Sequence, residues 1–183
     1  MTSIALPAAV IAAVIGIFAI TNDTKKKKRS TGKRMMLVLF WMYVTAVVHV
    51  TLGILSFPAD PGSPVRIQLE PFYFLDEWAT YRNLQSVSFY QNASLTFYNF
   101  VMFMPYGFFL AALFRKGFIK AVLILFFTSL LIETLQLILS YFGIAWIRGF
   151  NVDDLIMNTA GGLLVYMVTR VILKLSVKER RGA

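Results

Sequence analysis

Apolar residues in this chain come in long unbroken runs, about Leu6–Ile20, Met35–Phe57, Leu95–Phe114, Ala121–Phe142 and Val152–Leu175, with polar residues gathered between them. A hydrocarbon core about 30 Å thick needs about 20 apolar residues in helical conformation. Spanning strands would instead alternate apolar and polar positions over about ten residues. The pattern predicts an all-α polytopic membrane helical bundle with five transmembrane helices. The first run is the shortest and reaches spanning length only if Met1–Ala5 contribute. No Lys or Arg precedes it, and Lys25–Arg29 follows it. That is the charge order of an uncleaved helix with its N-terminus outside, and not of a cleaved signal peptide.

Five segments follow from the runs. Residues 1–34 hold the first span and a polybasic loop, 35–57 the second span, 58–94 a long extracellular connection, 95–175 a three-helix core, and 176–183 a cytoplasmic tail. The connection opens on Pro58-Ala59-Asp60-Pro61-Gly62-Ser63-Pro64, a turn-rich stretch. It then becomes amphipathic and aromatic through Phe72, Tyr73, Phe74, Trp78, Tyr81, Phe89 and Tyr90. Rings with one apolar and one wet end favour the headgroup level, so this segment reads as a cap on the outer leaflet. No internal repeat or inverted symmetry is evident, which argues against a secondary transporter.

Composition agrees with the pattern. The chain is 58% hydrophobic and only 15% charged, where soluble domains carry about 25% charged residues. It has no cysteine, hence no disulfide, thiolate metal site or cysteine nucleophile. The net charge of +9 would suggest nucleic acid until the cations are located. Fifteen of the eighteen fall in the first loop (Lys25–Arg29, Lys33, Arg34), the third loop (Arg115, Lys116, Lys120) and the C-terminal region (Arg170, Lys174, Lys178, Arg180, Arg181). Only Arg66, Arg82 and Arg148 lie on the other side. Five spans with N-terminus out and C-terminus in reproduce that partition. The basic excess is then a topology device and a contact for anionic lipid, and no nucleic-acid partner is expected.

Polar residues within the spans carry the functional argument, because a charged side chain in hydrocarbon costs at least about 2.5 kcal/mol. The fourth run carries Glu133 and Gln136, three apart and so on one helix face. Glu133 sits roughly 13 Å below an outer end at Phe142, at 1.5 Å per residue. The fifth run opens on Asn151, Asp153 and Asp154, and Asp154 shares a face with Asn158. Asn99 enters the third run near its outer end, His49 lies in the outer half of the second, and Arg148 stands just outside. Groups that cannot face lipid must face each other, which implies one polar pocket opening outward. Its expected members are Asn99, Glu133, Gln136, Arg148, Asp154 and Asn158, with Asp153, His49 and Arg66 as further candidates. Plain structural roles are open for the same residues: a Glu133–Arg148 ion pair, interhelical amide bonds from Gln136 and Asn158, and helix capping by Asn151 or Asp153. Gly161-Gly162 reads as a point of close helix approach, and Pro105 with Gly107 as a bend in the third span.

The third span reads Asn99-Phe100-Val101-Met102-Phe103-Met104-Pro105-Tyr106-Gly107. Later come Glu133-x-x-Gln136, Arg148, and Val152-Asp153-Asp154-Leu155-Ile156-x-Asn158-Thr159-x-Gly161-Gly162, while the outer segment holds Arg66-Ile67-Gln68-Leu69-Glu70-Pro71-Phe72. These motifs, in this order from about Arg66 to Val165, resemble the VanZ-like family of bacterial membrane proteins; Gln68 stands where the family pattern has asparagine. The resemblance implies a multi-pass protein of the bacterial plasma membrane, associated with reduced susceptibility to teicoplanin-type glycopeptide antibiotics. The residues carried over are Asn99, Pro105, Gly107, Glu133, Gln136, Arg148, Asp154 and Asn158.

Three classes of function are compatible with these residues. A binding module would use the pocket for a lipid-linked cell-wall precursor or a glycopeptide, with Arg148 holding phosphate and the amides holding sugar or peptide. An enzyme acting on a lipid-linked substrate would use Glu133 as proton donor and Asp153 or Asp154 as base. A structural or assembly protein would use the same residues for packing alone. No cofactor is implied. Oxygen ligands on Glu133, Asp153 and Asp154 leave a divalent cation as the one metal option. Membrane lipids are the expected partners in every case, and the sequence does not set the oligomeric state.

Overall fold

The computed structural model describes residues 5–25, 30–52, 58–59, 62, 64–83, 87–145 and 149–182. The elements run α1 (Ala5–Lys25), α2 (Thr31–Leu52), β1 (Arg66–Gln68), α3 (Tyr73–Asn83), α4 (Val87–Met102), α5 (Met104–Ala112), α6 (Phe118–Tyr141), β2 (Gly149–Asn151) and α7 (Val152–Gly182). Among the described residues, four helical stretches are long and apolar enough to cross a bilayer: Thr31–Leu52, Ala93–Ala112, Phe118–Tyr141 and Val152–Glu179. The apolar part of α1, Ala9–Thr24, is shorter. The protein is therefore a mostly helical, multi-pass membrane protein. The expected end of the second span, at 53–57, lies outside the described residues.

The all-helical expectation needs one amendment. β1 and β2 pair as a two-stranded sheet of three residues each, with Gly149 lying against the Arg66 carbonyl where a Cβ would not fit. Such a short ladder pairs backbone groups in two connections that have no helix to satisfy them.

The helices bury their polar side and display their apolar side. On α6, Ser129, Glu133, Gln136 and Ser140 recur at helical spacing and are all buried, while Phe127, Leu131 and Ile138 are exposed. On α7, Asn158, Gly162, Tyr166 and Thr169 are buried, while Met167, Val168, Val171 and Ile172 are exposed. A water-soluble helix has the opposite arrangement, and exposed apolar bands of this extent belong against lipid. At 31 residues, α7 is roughly 46 Å long and so outruns a hydrocarbon core of about 30 Å.

The chain divides into two compact units. The first comprises Met1–Arg66 and Thr134–Gly149. Within it α1 packs on α2, with Gly16 against the Trp41 side chain. The Gln136 amide donates to the Thr51 carbonyl at 2.6 Å and ties the last turns of α6 to the end of α2.

The second unit comprises Ile67–Glu133 and Phe150–Ala183. The third expected span is a helix, a break at Phe103, and a second helix with Pro105 in its first turn. Proline lacks the N–H that would continue the ladder, which places the break here. Both halves pack on α7 with backbone in contact with backbone. Gly107 lies against the Gly162 carbonyl and Gly161 against the Phe100 carbonyl, so neither position has room for a Cβ. Small residues at a membrane helix interface permit this approach, as the Gly161-Gly162 pair led us to expect. Phe103, Leu110, Ala111, Ala121, Leu125 and Tyr166 form the apolar core around the crossing.

Candidate functional site at the N-terminus of α7

The start of α7 gathers three carboxylates and an asparagine. Asn151 is the N-cap: its Oδ1 accepts the Asp153 N–H at 2.9 Å. Its Nδ2 donates to Asp154 Oδ1 at 3.1 Å, closing the cap from the third helical position. The Asn151 backbone N–H in turn donates to Glu133 Oε2 at 3.0 Å. Glu133 comes from α6 and is only 2% exposed. A buried carboxylate at this point faces the positive end of the α7 dipole as well as a backbone donor. Glu133 and Asp154 thus meet the same asparagine from environments of unequal burial, since Asp154 is half-buried.

Asp153 points the other way. Its Oδ1 accepts the Phe72 N–H at 2.5 Å and its Oδ2 the Phe74 N–H at 2.9 Å. Phe72 immediately precedes α3 and Phe74 lies in its first turn, so Asp153 caps a helix other than its own. The bonds also hold Phe72 at φ 67°, a left-handed conformation that a bulky side chain rarely adopts without support. The result is an aromatic ridge beside the carboxylates. The Phe72 and Phe74 rings meet edge to face at 6.4 Å between centroids, and Phe74 and Trp78 at 5.0 Å. The Trp78 Nε1–H is buried and, among the described residues, has no acceptor.

One turn deeper, Asn158 is 1% exposed and donates its Nδ2–H to Ser129 Oγ at 3.0 Å. Its Oδ1 is buried with no donor among the described residues, and neighbouring Thr159 Oγ1 is likewise buried without a partner. A buried acceptor left unpaired costs about 1–3 kcal/mol, so such atoms mark places where water or a ligand group completes the bonding.

The structure therefore brings Glu133, Asp153, Asp154 and Asn158 to one end of the second unit. Gln136 is bonded to Thr51 in the first unit. Asn99 is half-buried on α4, and among the described residues no hydrogen bond ties it to the cluster. His49 is exposed on α2 and Arg66 is exposed on β1. Arg148 lies outside the described residues. Among the described residues no group of three His, Cys, Asp or Glu side chains is arranged to hold a metal ion, and Asp153 is directed to backbone donors instead.

Ser129 was not among the expected site residues, whereas Asn151 was expected as a helix cap and Phe72, Phe74 and Trp78 as part of the aromatic cap segment. Asn151 precedes an apolar run with an acid three positions on, which is an N-terminal cap signature. Ser129 lies four residues before Glu133 on the same helix face.

The family model VanZ/LLP1 matches residues 40–173. No curated protein and no solved structure matches the chain.

Proposed function

The chain belongs to the VanZ/LLP1 family, and from that footing we propose that it sits in the bacterial plasma membrane and binds a lipid-linked cell-envelope component at the N-terminal end of α7. In this reading that end faces outward, because the cation-rich connections Lys25–Arg34 and Arg115–Lys120 stay inside. Binding there lowers susceptibility to teicoplanin-type glycopeptides, which act on the same outer surface. The observation that carries the proposal is that two buried polar atoms have no partner among the described residues: Asn158 Oδ1, one turn along α7 from Asp154, and Trp78 Nε1, on the ridge whose Phe74 N–H bonds Asp153. They offer one acceptor and one donor beside an aromatic ridge, the elements that fix a sugar or peptide headgroup.

A second reading rests on the unequal burial of Glu133 and Asp154 around one asparagine. Two carboxylates in different surroundings divide proton donation and abstraction, so the same cluster could act on the lipid-linked substrate as an enzyme. Lipid extraction from the protein purified in mild detergent tests both. Binding predicts a lipid-linked species enriched with the wild type and lost in Asn158→Leu. Catalysis predicts that the species is retained, or accumulates, in Glu133→Gln. No enriched species in any form, with resistance intact, would overturn both.

A further inference from the structure

The opposite end of α7 carries a second feature, independent of the carboxylate cluster. Arg170, Leu173, Lys174 and Val177 follow each other at helical spacing on one face of α7. With Ala111 at the end of α5 and Arg115 in the connection after it, they line an open cavity of about 350 Å³. From Val152 to Arg170 the helix rises roughly 27 Å, about the thickness of the hydrocarbon core. The cavity thus lies one membrane thickness from the acidic cluster, at the end where basic residues collect.

Its lining is divided. Arg115, Arg170 and Lys174 supply three cations and no acid lines the space, while Ala111, Leu173 and Val177 are apolar. None of the three cations is ion-paired among the described residues.

The Arg115 backbone is built to hold that position. After α5 the Phe114 N–H donates to the Phe109 carbonyl and the Lys116 N–H to the Leu110 carbonyl, each at 2.9 Å. That is a helix-ending turn whose left-handed residue is usually glycine. Here it is Arg115, at φ 49°. The Lys116 carbonyl accepts the Tyr166 hydroxyl at 2.8 Å, which pins the turn to α7 one turn before Arg170.

We propose that this cavity is a binding site for an anionic phospholipid, the phosphate held by Arg115, Arg170 and Lys174 and the first acyl carbons lying on Ala111, Leu173 and Val177. Arginine and lysine at the end of a membrane helix meet lipid phosphates directly, and the arginine forks suit two phosphate oxygens each. The apolar half of the lining favours a lipid over a free anion, which would gain nothing from it.

The full-length protein in phosphatidylcholine vesicles doped with spin-labelled phosphatidylglycerol reads this out. The wild type should show a motionally restricted phosphatidylglycerol component and a weaker one for spin-labelled phosphatidylcholine. Arg170→Gln with Lys174→Gln should lower the phosphatidylglycerol preference by about fivefold per cation removed. Lys120→Gln with Lys178→Gln, which removes as much charge outside the cavity, should lower it much less. Arg115→Gly gives the turn its usual residue and removes the third cation, so it should lose preference while unfolding no earlier than the wild type. Equal losses in the two double variants would overturn the site in favour of diffuse surface charge. Displacement of the restricted component by inorganic phosphate would overturn the lipid assignment.

Discussion

The two ends of α7 are built from opposite materials. At the N-terminal end, carboxylates and amides are buried and bonded into the backbone of three elements: Glu133 of α6 to Asn151, Asn151 to its own helix, and Asp153 to the first turn of α3. At the other end, Arg115, Arg170 and Lys174 are exposed around an open cavity. The first arrangement makes the chemistry part of the fold; the second leaves it available without supporting the fold. Removing a backbone-bonded group at the acidic end therefore changes shape and function together, whereas removing a cation at the basic end changes binding alone. Between them the glycine contacts of α4 and α5 with α7 hold both ends in register.

That contrast sets an order of expected effects. The largest belongs to the shared frame. Gly161→Leu puts a side chain into the Phe100 carbonyl, and since overpacking alone costs about 1–3 kcal/mol, a clash with backbone should exceed that range and abolish folded protein in detergent chromatography. Next comes Asp153→Ala, which leaves the Phe72 and Phe74 N–H groups without their acceptor. Loss of two charge-assisted bonds at about 1.5–3 kcal/mol each should lower thermal stability and expose the Phe72–Trp78 segment to protease. Asp153→Asn, which keeps one acceptor oxygen, should fall between the wild type and Asp153→Ala.

Asn158→Leu should separate function from stability. It removes an acceptor that has no partner among the described residues, and Ser129 can return its hydroxyl to its own helix. Stability should move by no more than about 1 kcal/mol, while lipid co-purification and resistance are lost. A stability loss as large as that of Asp153→Ala would place Asn158 in the scaffold instead. The smallest effect is expected at the basic end, where Arg170→Gln and Lys174→Gln should each shift stability by less than about 0.5 kcal/mol.

The membrane class and most helix positions were readable in the sequence because a bilayer demands length and apolarity, and both are local properties. Pro105 and the Gly161-Gly162 pair also declared their roles, since a missing N–H and a missing Cβ act through the backbone. The partnerships of the polar residues were not readable. Asp153 and Asp154 are adjacent and chemically alike, yet one caps α3 and the other closes its own helix cap; the choice depends on where α3 begins, some eighty positions away. Gln136 shares a face with Glu133 by spacing, but its bond to Thr51 depends on where α2 ends. The basic cavity was hidden because Arg115 and the Arg170–Lys174 pair are far apart in sequence and read singly as topology signals.

Because the chain has no cysteine, a single introduced thiol reports its own side of the membrane without background. Leu69, exposed after β1, and Lys178, exposed near the end of α7, stand on the two sides that the account assigns. With an impermeant maleimide on intact cells, Leu69→Cys should label at once and Lys178→Cys only after the membrane is opened. Immediate labelling of Lys178→Cys with protection of Leu69→Cys would put the carboxylate cluster in the cytosol and contradict the account.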